Sequence, residues 1–191
     1  MSKSDLVFDG DTIIFIDIDG PLLPARMHYQ EDNINIIFKD ELWFNSPKLK
    51  CGIKFDPVMS CLLNKWCQVT EAKFVISSSW TKYSTLEELV IIFKNNGIDI
   101  VPNLHKNWKT EKVHKWSRGA EIAQWLKENK GTVKNYLVLD DDDDVMSNEY
   151  LDKDKILLID FFIGISFMQI FKGNEILGIT DYSQITNTDN K

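Results

Sequence analysis

Hydrophobic positions in this chain fall into short continuous runs, separated by longer stretches in which they recur at helical spacing. Thr12 to Ile16 is an unbroken β-branched and aromatic run. Lys73-Phe74-Val75-Ile76, Tyr136-Leu137-Val138-Leu139 and Ile156-Leu157-Leu158-Ile159 repeat the pattern, and Ile98-Asp99-Ile100-Val101 is a weaker fifth case. Runs without alternation predict strands buried on both faces, as in a parallel sheet. Between them the spacing predicts helices. After Asp56-Pro57, residues Val58, Cys61, Leu62 and Trp66 share a face. Ser84 and Glu87 have the spacing of a capping box ahead of Leu86, Leu89, Val90 and Phe93, with Asn96-Gly97 as the stop. A third helix begins near Ser117, turns Ile122, Trp125 and Leu126 inward, and ends by Gly131.

Strands alternating with helices predict an α/β fold, a Rossmann-like parallel sheet covered by helices on both faces. Such sheets bind ligands beyond the carboxyl ends of their strands. Those ends here carry Asp17, Ser77 and Asp140-Asp141. Two stretches break the alternation. Residues 22–54, with Ile34, Ile36 and Phe38 alternating, predict a β-hairpin flap or small cap over the strand ends. Its aromatics Tyr29, Phe38, Trp43 and Phe44 read first as a core of their own, and otherwise as a wall for an aromatic leaving group. Residues 103–117 predict a second rim loop.

The 191 residues suit one domain, with the insert at 22–54 and a polar tail at about 182–191. The N-terminal stretch lacks the apolar core of a signal peptide, and the apolar run from Ile156 to Phe171 is short for a membrane span and holds Asp160. No transmembrane segment is expected. Cys51, Cys61 and Cys67 are an odd set without metal-type spacing, which points to a reducing, cytosolic compartment. None has an arginine six positions later, which excludes a cysteine-nucleophile phosphatase loop. Cys61 and Cys67 read as helix-packing residues. Net charge is −7, which disfavours a protein whose main task is gripping nucleic acid. The segment from His105 to Arg118 reverses that sign locally, with five Lys or Arg residues against one acid. It reads either as a solvated loop or as a rim that draws anionic substrate inward. His105 and His114 lack partners spaced for metal binding.

Carboxylates at neighbouring strand tips repel one another unless some protonate or a cation intervenes. With Mg²⁺, Asp17, Asp140 and Asp141 form a hard-oxygen site that recruits phosphate. Asp17 is then placed to attack phosphorus, and Asp19, two residues on, to protonate the leaving group and activate water. Gly20 permits the turn between strand and loop. Ser77, with amides around Ile18, Asp19 and Ser78, is the expected donor set for phosphoryl oxygens. Arg118 is the expected charge stabiliser, with Lys115 in reserve. Asp143 and Asp144 read as solvated loop residues.

Asp17-x-Asp19-Gly20, Ser77, Arg118 and Asp140-Asp141, in this order, resemble the four motifs of the haloacid dehalogenase (HAD) superfamily, over roughly residues 12 to 178. More narrowly, Ser77 to Trp80, Arg118 to Leu126 and Leu137 to Asp144 are similar to small HAD domains of RNA-repair proteins and to bacterial effector phosphatases acting on phosphotyrosine. The resemblance implies Asp17 as nucleophile, Asp19 as acid/base, Ser77 as phosphate ligand and Arg118 as charge stabiliser. It also implies Mg²⁺ held by Asp17, the Asp19 carbonyl and Asp141. Pro21 departs from the family's threonine or valine and removes a backbone donor, and Arg118 replaces the commoner lysine. The expectation is a Mg²⁺-dependent phosphomonoester hydrolase acting through an aspartyl-phosphate. Its first-choice partner is a phosphotyrosine protein or peptide, with delivery into a host cell as a corollary. A polynucleotide 3′-phosphatase or nucleotidase is the second reading, and a non-catalytic phosphate-binding or targeting module the third.

Overall fold

A computed structural model describes residues 10–113 and 117–179. Lys115, His114 and the polar tail therefore lie outside the described residues. Strand β1 (Asp11–Ile16) is followed by an insert with helices α1 (Ala25–His28), α2 (Glu31–Ile37) and α3 (Pro47–Lys50). Then come α4 (Pro57–Val69), β2 (Lys73–Ile76), α5 (Leu86–Asn95), β3 (Leu104–Lys109), α6 (Arg118–Glu128), β4 (Val133–Asp140), α7 (Asp144–Ser147), β5 (Ile156–Leu158) and α8 (Phe167–Leu177). The sheet is parallel, in the order β3-β2-β1-β4-β5. The chain runs outward from β1 through β2 to β3, then returns to the other side of β1 for β4. The switch point of the topology therefore lies between β1 and β4, where such sheets open a crevice.

Why β1 is apolar from Ile13 to Ile16 is clear from its two faces. Ile14 and Ile16 enter one core with Trp66 of α4, Ile92 of α5 and Ile170 of α8. Ile13 and Phe15 enter the other, with Ile122 and Trp125 of α6. All four strand residues are fully buried. Covering both faces explains the continuous run in the sequence.

Four expectations need correction. The fifth strand is Leu104–Lys109, inside the stretch read as a rim loop, whereas Ile98 and Ile100 are buried without strand geometry and a 3₁₀ turn follows at Val101–Asn103. The insert is helical, not a β-hairpin. Asn33, fully buried, organises it by bridging Met27 O and Lys54 O, at 2.8 and 2.7 Å. Helix α4, capped by Asp56 and opened by Pro57, turns Met59, Leu63, Trp66 and Cys67 into the core and leaves Val58 and Cys61 exposed. The capping box of α5 is Thr85 with Glu88, one residue later than the first matching spacing. No helix among the described residues is long and apolar enough to cross a membrane.

Candidate active site

The strand ladder continues past the last residue of β1 and places the first acid. Asp17 N donates to Leu139 O at 3.0 Å, and Ser77 N donates to Ile16 O at 2.9 Å. Three adjacent strand ends thus fix Asp17, Ser77 and Asp140 in one crevice. Asp17 and Asp140 are buried, Asp141 half-buried. Each of the three acids offers an oxygen within 4.8 Å of the others'.

Burial pushes all of these carboxyls upward. Desolvation and then the neighbouring Asp17 charge raise Asp140 well above its ordinary range and Asp141 to about 6. Asp17 is also raised, chiefly by burial, against the pull of Arg118. Asp19 is lifted to about 7 by burial and then by Asp17. A cluster in which every member resists ionisation is a site short of positive charge. Arg118 supplies part of it, with Nη2 3.3 Å from Asp17 Oδ2, Nε 3.4 Å from Asp140 Oδ2 and Nη1 3.2 Å from Glu121 Oε2. Desolvation opposes its charge, but Asp17, Asp140 and Glu121 prevail and raise its pKa.

Do the donors fit a divalent cation? Asp140 Oδ2 is buried and, among the described residues, has no hydrogen-bond partner; its contact with Arg118 Nε at 3.4 Å is an ion pair without hydrogen-bond geometry. A buried carboxylate oxygen left in that state is costly unless something else completes it. The candidate ligands are carboxylate oxygens and one backbone carbonyl, all hard oxygens that suit Mg²⁺. The ligand set and the incompletely satisfied oxygen both fit the ion.

Gly20 bears on the same point. Its φ is +70°, and a Cβ there would stand 2.5 Å from the Asp141 carboxyl carbon. The expected result for Gly20→Ala is a loss of roughly 1–2 kcal/mol of stability from the backbone alone. Displacement of Asp141 should add a need for about tenfold more Mg²⁺ for half-maximal activity. A Mg²⁺ titration matching that of the unaltered protein would refute this.

The other expected site residues are near. Ser77 Oγ is buried without a hydrogen-bond partner among the described residues. The Ser78 hydroxyl accepts from Trp80 N at 3.4 Å and lies close enough to Asp17 to offset part of the rise in its pKa. The Ile18 amide is already engaged by Asp17 Oδ1 at 2.6 Å. Pro21 does not prevent the turn from closing, since Leu22 N and Leu23 N both donate to Ile18 O. His105 packs edge-on against Trp125 and takes the Asn107 amide on Nδ1 at 3.0 Å, a structural role.

A HAD-domain family model, described as the HAD domain in Swiss Army Knife RNA repair proteins, matches residues 13–169. The chain belongs to this family. Neither a curated protein nor a solved structure matches it. Membership makes this HAD domain a member of a superfamily of metal-dependent phosphohydrolases, and its acid cluster is of a kind that can hold their ion.

Four residues that support the candidate site from around it give little sign of this in the sequence. Asp144 was read as solvated, yet its Oδ2 accepts from Ser117 Oγ at 2.9 Å and from Gly119 N at 3.1 Å. It therefore clasps the first turn of α6, which presents Arg118. Glu121, one helical turn on from Arg118, braces that guanidinium. Trp80 ends the Ser77–Trp80 motif, and its Nε1 donates to Asp19 Oδ2 at 3.0 Å. Lys50, fully buried, gave no signal in the sequence. Nor are the insert's aromatics a separate core. Trp43 and Phe44 pack on Trp80, at 6.0 and 6.2 Å between ring centroids, while Tyr29 and Phe38 pair with each other on the surface.

Proposed function

We propose that this HAD domain hydrolyses phosphomonoesters through a covalent phosphate on Asp17. The observation that carries the reading is the convergence of Asp17, Asp140 and Asp141 on one crevice, with Arg118 spanning two of them. Asp17, the Asp19 carbonyl, Asp140 and Asp141 would hold Mg²⁺, which when bound offsets their charge and attracts phosphate oxygens. Asp17 attacks phosphorus, and the bond to the leaving oxygen breaks. Asp19, lifted to about 7 and so well stocked with protons at neutral pH, gives its proton to that oxygen. The resulting carboxylate then takes a proton from water, which attacks phosphorus and frees Asp17. Arg118 and the unpartnered Ser77 hydroxyl are the donors for the transferring group, and Ser78 steadies Asp17.

For the substrate, phosphotyrosine rests on resemblance to effector phosphatases and on the acidic total charge. Total charge is not what a substrate meets, however. A cleft of about 370 Å³ opens beside the site, sharing Ser78 and Glu121 with it, and is lined by Lys82, Lys109 and Lys112. Glu111 and Glu121 share the cleft: Glu111 pairs with Lys109 at 3.2 Å, and burial and then the Lys112 charge lower the Lys82 pKa against the pull of Glu121. A second anion beyond the scissile phosphate would meet these lysines there. With the family's link to RNA repair, this favours a terminal phosphate on a polynucleotide, whose next phosphate would lie in the cleft.

The test is turnover of a 3′-phosphorylated oligonucleotide, a nucleotide and a phosphotyrosine peptide side by side. The oligonucleotide should give the highest kcat/KM, and its binding should weaken with salt at a log–log slope of about −2 for three phosphate contacts. Preference for the peptide with indifference to oligonucleotides would restore phosphotyrosine. Binding to all three without turnover of any would point to the non-catalytic module.

A further inference from the structure

An ammonium group without water around it is costly to keep charged. Lys50, the last residue of α3, is fully buried, and its Nζ sits among three rings: 4.5 Å from the centroid of Phe44, 5.2 Å from Trp80 and 5.6 Å from Tyr83. Longer contacts reach Trp80 O at 3.4 Å and Ser84 Oγ at 3.5 Å. A methionine or leucine would fill the same space without desolvating a charge. Retention of a cation there calls for a reason outside packing.

The reason lies on the far side of Trp80. The indole that forms one wall of the cage donates its Nε1 hydrogen to Asp19 Oδ2. The same indole is wedged by Trp43, Phe44 and Phe55, so it has little freedom to turn. Lys50 also attracts the Asp19 carboxylate electrostatically. We infer that Lys50 is a positioning residue for Asp19: its ammonium, caged by Phe44, Trp80 and Tyr83, locks the Trp80 indole whose hydrogen bond aims the acid/base carboxyl. The insert thus contributes to the reaction through a side chain that never meets substrate. Burial lowers the Lys50 pKa to about 8, against the pull of Asp19 and Glu88, so the cation is retained at neutral pH.

The inference rests on Asp19 acting as the acid, and the experiment separates the two. kcat/KM covers the step in which the leaving group departs, so it is measured for an aryl phosphate with a good leaving group and for alkyl phosphates with poor ones. A poor leaving group needs the proton; a good one hardly does. The variants are Lys50→Met, which keeps the stem, and Trp80→Phe, which keeps a ring and deletes the indole donor. Each is checked for folding by thermal unfolding, and Lys50→Gln takes the place of Lys50→Met if that variant does not fold. The expected result is a fall of about 10–100-fold on alkyl phosphates and under about threefold on the aryl phosphate. Equal losses on all substrates, or none, would overturn the positioning role while leaving the proposed hydrolase intact. An unaltered protein that turns over neither class would remove both.

Discussion

Asp17→Asn should lower kcat by about 10⁴-fold or more, because a neutral amide cannot serve as the nucleophile and no neighbouring carboxylate can take its place. Asp140 and Asp141 are on the adjacent strand end, and Asp19 is turned aside by Trp80. Acid-quenched unaltered protein should carry phosphate on the peptide containing Asp17, and the variant should carry none. The same substitution should raise the melting temperature of the metal-free protein. After burial, the Asp17 charge does most to raise Asp140 and Asp141, so a neutral side chain there relieves both. An Asp17→Asn protein that retains a tenth of the activity would exclude Asp17 as nucleophile.

Removal of Mg²⁺ should abolish turnover and should leave a protein whose stability depends on pH in an unusual direction. The folded carboxyls of Asp19 and Asp141 sit at about 7 and about 6, against 3.8 for the free side chain, and Asp17 and Asp140 are raised too. Raised carboxyls hold protons in the folded chain that the unfolded chain has released. Their contribution is therefore complete below pH 3.8 and is lost as pH rises through about 6 and 7. In EDTA, stability should fall between about pH 4 and pH 7 on account of these groups. Mg²⁺ reverses this, since at pH 8 it meets ionised ligands, whereas at pH 5 it must displace protons. An ion at a hundred times its Kd adds about 2.7 kcal/mol, which for a domain of this size is a rise of about 5–10 °C in Tm at pH 8. The gain should be visibly smaller at pH 5. Superimposable melts with Mg²⁺ and with EDTA at both pH values would show that the cluster is not an ion site.

The central strands were legible because burial on both faces leaves an unmistakable apolar run. The edge strand β3 was not. Its residues His105, Lys106 and Asn107 lack such a run, and its register against β2 is interrupted between Phe74 and Ile76. Ile98 and Ile100 imitated a strand because they are buried in the preceding turn. The helix α5 offered two overlapping boxes, Ser84 with Glu87 and Thr85 with Glu88, and spacing alone does not choose between them. In the site, Asp17, Ser77 and Asp140 stood out because each ends or directly follows a strand. Lys50, Trp80 and Asp144 act through segments distant in the chain, and no local spacing records a contact of that kind.

The clasp of Asp144 on Ser117 and Gly119 joins two chemistries at a single hinge pin. The loop behind β4 carries the acids, the opening turn of α6 carries the guanidinium, and neither can drift without dragging the other. A change at Asp144 would therefore disturb the ion ligands and the anion's guanidinium in the same stroke.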